Sequence, residues 1–336
     1  MSSRFLLIFT LLSLFSFVDK EQEIKPYRIS GFAQGTSYHI LYYATDSVVS
    51  RGQTDSIFVK IDSSLSIYKS YSLISEFNRS QSGIQVDAML KEVVKKSLRI
   101  HKKTNGAFDI TVQPLVQAWG FGAKRINSLP DSAQIKSLLG CVGSEHIRLK
   151  RNRLIKSKPC LGIDVNGIAQ GYSVDLVASF LESKGIADYL VELGGEIRIK
   201  GKKRPSGESM AVGIESPGDD SSNPLPVTRR IKLDHGAVTT SGNYRKFYQN
   251  GLKKITHLID PKTGYPIQNE MISVTVVAKD AITADGYDNA LMNMGLKEAL
   301  TFVNKQKNLE AYFIYHKPDG SVADTASTGF YKLLVK

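Results

Sequence analysis

From residue 26 onward, apolar positions recur with two different periods. Short apolar runs and alternation over 38–43, 190–191, 196–200, 210–214 and 273–278 predict strands. Spacings of three to five residues predict helices. One spans 86–104, with Met89, Val93, Val94 and Leu98 on a common face. Another spans 169–184, where Tyr172, Leu176, Val177, Phe180 and Leu181 share a face. A third is predicted over about 281–294, with Asp280 as its N-cap. The polar stretch 216–226 reads as a loop between two strands. Strands and helices mix without regular βαβ alternation, so an α+β fold is expected rather than a doubly wound sheet. No repeat, low-complexity tract or long linker divides residues 27–336, which predicts one large domain or two interleaved lobes.

Residues 1–20 follow another pattern. Arg4 precedes an apolar run over 5–18, and charge returns at Asp19 and Lys20. Fourteen helical residues span roughly 21 Å, short of a hydrocarbon core about 30 Å thick. A basic start before a short apolar stretch is the pattern of a signal peptide, with a buried N-terminal helix as the alternative. No clear small-x-small pair marks a cleavage point, and no cysteine follows for lipid attachment. The expectation is an exported protein working outside the cytoplasm.

The chain has 336 residues, 42% hydrophobic and 23% charged, which excludes a disordered or collagen-like chain. Its formal net charge is +12, and +11 without residues 1–20. That balance suits an acidic partner: nucleic acid, an anionic membrane surface or a phosphorylated small molecule. The cluster Lys200, Lys202, Lys203, Arg204 lacks interleaved aromatics and reads as a solvated turn; with export, this argues against nucleic acid. Two cysteines, Cys141 and Cys160, exclude a structural zinc or iron–sulfur site. They are either bridged, as an oxidising compartment allows, or two half-buried thiols.

Candidate chemistry is concentrated in a few short stretches. In Ala284-Asp285-Gly286-Tyr287-Asp288-Asn289, positions 285, 288 and 289 share one helical face. Two carboxylates and an amide gathered there suit Mg²⁺; the alternative is a solvated acidic face near a helix start. In Asp164-Val165-Asn166-Gly167-Ile168-Ala169-Gln170-Gly171-Tyr172, glycines at a helix start allow close backbone approach to a phosphate, or form a plain capping turn. Thr240-Ser241-Gly242 offers hydroxyls to phosphate oxygens. His257 precedes an Asp260-Pro261-Lys262-Thr263-Gly264 turn signal, and Asp260 could orient it; a structural hydrogen bond is the competing role. Asn105-Gly106-Ala107-Phe108-Asp109-Ile110-Thr111 and Trp119-Gly120-Phe121-Gly122 place aromatics between glycines, either lining a ring pocket or packing a core. No GxSxG, HExxH, P-loop or Cys/His nucleophile pattern occurs.

Each signal is weak alone, but their order is specific. Gly35-Thr36, Ser66-Ile67-Tyr68, Ser75-Glu76-Phe77-Asn78, the 106–111 and 119–122 runs, Asp164 to Asp175, Leu193-Gly194-Gly195, Thr240-Ser241-Gly242, His257 with Asp260-Pro261, and Asp285 with Asp288-Asn289 follow in sequence. This series resembles the ApbE family of flavin transferases from about Tyr27 to the C-terminus. The resemblance implies a T-fold-like α+β domain of mixed sheets with packed helices. It implies that FAD binds with Mg²⁺, that FMN passes to a threonine hydroxyl of a target protein, and that AMP leaves. The implied metal site is Asp285, Asp288 and Asn289 with the main-chain oxygen of Gly167. The implied flavin-nucleotide contacts are Gln34, Tyr68, Ala107, Phe108, Asp109, Gln170 and Ile259, and His257 activates the acceptor hydroxyl. Implied acceptors are redox subunits of membrane complexes in the periplasm, with a membrane surface nearby. Many relatives carry Lys or Glu at the place of Gln170, Met at Gln34 and Thr at Asn289. A neutral Gln170 supplies no cation to the phosphates, which leaves more of that charge to the metal. Two other readings compete: a Mg²⁺-dependent FAD pyrophosphatase giving FMN and AMP, and a non-catalytic flavin-binding protein.

Overall fold

In the computed structural model, residues 23–215, 227–243, 247–250 and 253–335 are described. The expected signal segment over 1–20 and the expected loop over 216–226 lie outside them. The centre is an eight-stranded sheet: β1 (Lys25–Ala33), β2 (Thr36–Ala44), β3 (Asp188–Leu193), β4 (Glu196–Lys200), β5 (His235–Gly242), β6 (Met271–Ala278), β7 (Leu309–His316) and β8 (Val322–Ala326). Their spatial order follows their order in the chain, and every neighbouring pair is antiparallel. The expected α+β class holds, and the expected mixed pairing is antiparallel here, because sequential strands return beside their predecessors. The β1–β2 hairpin turns on Gln34 and Gly35, both with positive φ (51° and 79°), as a two-residue turn requires.

Between the adjacent strands β2 and β3 the chain departs over residues 45–187. This excursion carries α1 (Arg51–Leu65), α2 (Ala88–Lys103) and α3 (Asn166–Ser183); α4 (Ala281–Met294) and α5 (Leu296–Asn304) follow β6. The period-two pattern explains why the sheet is covered on both faces. Val274, Val276 and Phe313 join one cluster with Leu90, Val93, Val174, Val177 and Leu291 of the helices. Val238, Ile272, Tyr312 and Ile314 face the other way, against Val212 and Ile231 of the strand pair Met210–Glu215 and Val227–Leu233. Strand β6 is therefore apolar nearly throughout, and its neighbours hide both faces.

The predicted helices agree closely with those found. Asp87 caps α2 through Leu90 N at 2.8 Å. Asp280 caps α4 through Thr283 N at 3.0 Å, as expected. Helix α3 begins three residues earlier than its apolar stripe implies, because its first turn is kinked at Gly167 (φ −84°, ψ 19°). Periodicity did not reveal β1, β5, β7, β8, α1 or α5. Cys141 and Cys160 are bridged. In the basic turn, Lys200, Lys202, Lys203 and Arg204 each meet a carboxylate: Glu182, Asp234, Glu208 and Asp188. Among the described residues, no helix is long and apolar enough to cross a membrane.

Candidate active site

Helices α3 and α4 cross where Gly171 lies against the Ala281 carbonyl. A Cβ on Gly171 would come within 2.4 Å of that oxygen, so only glycine permits the approach. Asp175 of α3 fixes the crossing by accepting from Ala281 N (3.0 Å) and Ile282 N (2.9 Å) at the start of α4. The crossing brings Asp285 onto the second turn of α3, where its Oδ2 accepts from Gly171 N at 2.8 Å.

Asp285 and Asp288 are 4% and 1% exposed, which overturns the alternative of a solvated acidic face. Burial pushes both carboxyls above the usual range. Asp285 then raises Asp288 further, as does Glu196, while the Thr239 hydroxyl works the other way. Asn289 closes the group. Its Nδ2 lies 2.8 Å from Asp288 Oδ1, 3.1 Å from the Asp285 carbonyl and 3.3 Å from the Gly167 carbonyl. All three partners are acceptors, so the amide nitrogen faces them, and Asn289 would have to turn its amide to offer the oxygen expected of it. A Cβ on Gly167 would lie 3.2 Å from the Asn289 amide carbon, a tight contact that would press on the amide.

Among the described residues, no three His, Cys, Asp or Glu side chains form a group that could hold a metal. The candidate set is of another kind: two carboxylates and a main-chain carbonyl, with an amide between them. Convergent hard oxygens around a spot now held by a partly positive NH₂ group, beside two carboxyls that burial disfavours as anions, fit a small hard cation such as Mg²⁺.

A cavity of about 280 Å³ opens onto this group. It is lined by Tyr68, Ala107, Phe108, Asp109, Gly167, Gln170, His257, Ile259, Asp285, Asp288 and Asn289, so these sequence-selected residues share one wall system. Gln34 is the exception: it does not line the cavity. The β1–β2 turn places it one helical turn along α3, where its amide pairs with the Ser173 hydroxyl at 2.9 Å. Gln170 sits beside Gly194, whose φ of 63° and missing Cβ leave room for the Gln170 amide. Tyr68 is 61% exposed at the rim and accepts from Asn166 Nδ2 at 3.3 Å.

Asp109 belongs to the cavity in a different way. Its carboxylate accepts from Thr111 N (2.8 Å), Thr111 Oγ1 (2.6 Å), Ser144 N (3.0 Å) and Ser144 Oγ (2.8 Å). His101 Nδ1 adds a contact at 3.1 Å. Burial alone would raise this carboxyl, but His101 and Thr111 outweigh it and hold it below the usual range. Hydrogen bonding to Asp109 in turn raises the His101 imidazole.

The two aromatics between glycines divide. Phe121 lines the cavity with its ring edge toward His257, the centroids 6.3 Å apart, whereas Trp119 is buried and donates to the Gly264 carbonyl at 2.8 Å. Thr240, Ser241 and Gly242 end β5 at the cavity wall, so they lie in a strand. The Asp260 carboxylate organises the turn that follows His257: it accepts from Lys262 N and Thr263 Oγ1, both at 2.9 Å.

Sequence reasoning did not single out Glu196 and Asn293, which also line the cavity, and it left Asp164 without a role in binding. Asn293 follows Asp285 by eight positions on one helical stripe, a spacing that could have found it. Glu196 follows the Gly194-Gly195 turn, and only the fold brings it toward Asp288.

Known proteins resemble this chain over most of its length. Residues 34–313 match the ApbE family. A FAD:protein FMN transferase of Vibrio cholerae is 34% identical over 333 residues, covering 97% of this chain and 98% of its own. One from Haemophilus influenzae is 35% identical over 326 residues, 93% of each chain. The solved flavin transferase ApbE of Vibrio cholerae superimposes with a TM-score of 0.83 at 34% identity, covering 93% of this chain and all of that one. With nearly its whole length matched in sequence and in fold, this chain belongs to the ApbE family.

Proposed function

We propose that this protein transfers FMN from FAD to a threonine hydroxyl of an exported acceptor protein, in a reaction that depends on Mg²⁺. One observation carries the reading: Asp285 and Asp288, buried and raised, face a cavity together with the Gly167 carbonyl at the start of a helix. The cavity is also lined by Asp109, Asp164 and Glu196, and by no lysine or arginine among the described residues. A pyrophosphate would meet net negative charge there, so binding it calls for a cation. Asp285, Asp288 and the Gly167 carbonyl would hold that cation, with the Asn289 amide turned to join them. Bound Mg²⁺ supplies charge neutralisation on the pyrophosphate oxygens.

The chain's own residues supply the rest. Gly167, at the kinked start of α3, lines the cavity without a side chain, which suits close approach of a phosphate to the backbone. Tyr68 and Phe121 offer apolar faces at the rim and within the cavity for ring systems. His257 takes the proton of the acceptor hydroxyl as its oxygen bonds to the FMN phosphorus. The phosphoanhydride bond breaks and AMP departs with the bridging oxygen. Export to the periplasm is supported by the apolar run over 5–18 and by the Cys141–Cys160 bridge, which an oxidising compartment favours. The acceptor is then an exported protein, with redox subunits at the membrane surface as the class the resemblance implies.

The test is incubation with FAD, Mg²⁺ and a threonine-containing acceptor domain, followed by mass spectrometry. A gain of one FMN on the acceptor is expected. Free FMN with an unmodified acceptor would make the protein a pyrophosphatase, and unchanged FAD would leave a binding protein.

A further inference from the structure

The strongest unassigned feature is the Asn293 side chain. It forms part of the wall between the 280 Å³ cavity and a wider surface hollow of about 980 Å³ that runs along residues 265–270 and α5. Its Nδ2 lies 3.1 Å from the Ala107 carbonyl and 3.3 Å from Asp260 Oδ1. A carbonyl and a carboxylate can only accept, so both contacts use the amide's two hydrogens and fix its orientation. The three groups come from separate parts of the fold. Asn293 lies on α4, one turn beyond Asn289 and two beyond Asp285. Ala107 opens the 107–109 segment of the cavity wall, and Asp260 heads the turn after His257 and Ile259.

We propose that Asn293 is a positioning residue for the nucleotide. Its amide clasps the Ala107 and Asp260 segments to the helix that carries Asp285, Asp288 and Asn289. This rests on the transferase reading for the identity of the nucleotide. Without the clasp, the 107–109 and 257–260 segments of the cavity wall move independently, and the cost falls on FAD affinity rather than on the chemical step. Asp260 keeps its bonds from Lys262 N and Thr263 Oγ1, so its turn persists when the amide is removed.

The test measures the Kd for FAD by flavin fluorescence, with Mg²⁺ present, beside kcat and KM for transfer. Asn293→Ala is expected to weaken FAD binding about tenfold, or about 1.4 kcal/mol, with kcat within about twofold of wild type. Asn293→Asp should be worse than Asn293→Ala, because a carboxylate there repels both Asp260 and the Ala107 carbonyl. A merely structural role would lower Tm without this ordering of affinities. Equal Kd in wild type and Asn293→Ala, or an Asn293→Asp that binds FAD as well as Asn293→Ala, would overturn the proposal. Should Asn293→Asp not fold, the KM-against-kcat split of Asn293→Ala decides alone. If wild type binds no FAD, the transferase reading fails instead, which separates the two.

Discussion

Asp288 and Asp109 are buried carboxylates lining the same cavity, and the fold treats them in opposite ways. Asp288 sits on the packed helix α4 beside Asp285 and toward Glu196, and burial with like charge raises its carboxyl well above the usual range. Asp109 lies in a loop where Thr111, Ser144 and His101 supply five donor contacts, and its carboxyl falls below the usual range. The helical wall therefore holds negative charge that its own protein groups leave under-compensated, as a cation site requires. The loop wall consumes its charge in holding itself together. Two identical side chains, both buried, thus serve ligand and architecture, and the number of donors around each decides which.

The sharpest way to break this comparison is Asp288→Asn. Flavin transfer in Mg²⁺ should fall by about 10³-fold or more, since cation neutralisation is worth several kcal/mol in the transition state. The same variant should melt higher than wild type in EDTA, because a neutral amide is cheaper to bury than a carboxylate, and added Mg²⁺ should no longer raise Tm. Retained transfer would remove the helical wall's assigned role. Asp109→Asn should instead cost stability, about 3 kcal/mol by denaturant unfolding, because an amide hydrogen would then face the Thr111 and Ser144 donors. An unchanged midpoint would mean the loop wall does not depend on its carboxylate.

Next in size is the Cys141–Cys160 bridge. It ties Cys141, just before the Gly143-Ser144 turn that holds Asp109, to Cys160, just before the segment leading to Asp164 and Gly167. Cys160→Ser should lower stability by about 2–3 kcal/mol for a loop of this length and weaken FAD binding as well. A loss of stability with FAD affinity intact would separate the bridge from the cavity.

The smallest effect concerns pH. The Asp109 contribution is present above its unfolded pKa near 4 and is lost as pH falls through its lowered folded value. The His101 contribution is present below its unfolded pKa near 6.5 and is lost as pH rises through its raised folded value. The deficit in Tm of His101→Ala should therefore be widest between about pH 4 and 6.5 and should narrow above neutrality. A deficit that grows with pH would show that the imidazole does not act as a cation on Asp109.

Much of this was legible in the residues alone. The 285/288/289 stripe is a helical spacing with Asp280 at its head, and both are local properties. Gly167 and Gly171 could be singled out because glycine at a helix start has few other uses. Three things were not legible. Gln34 is adjacent in sequence to the Gly35-Thr36 motif, yet its side chain turns to Ser173, because the hairpin's position along α3 is set by sheet packing. Thr240-Ser241-Gly242 carried no strand signal, because small polar residues hide strand character, and only pairing with β6 reveals it. Glu196 carried no signal, since it acts across chain segments remote in sequence, and the one signal for Asn293 was its eight-residue spacing from Asp285.

By itself the sequence determined helices α2, α3 and α4, strands β2, β3, β4 and β6, the α+β class and the family, because periodicity, capping residues and motif order are encoded within short stretches. Tertiary structure alone decided that Asp285 and Asp288 are buried rather than solvated, that Asp109 is saturated, that the two cysteines meet, and which face of Asn289 looks inward. Each of those depends on how many donors, acceptors and apolar atoms converge from distant segments, a quantity that packing creates and that no single stretch of chain contains.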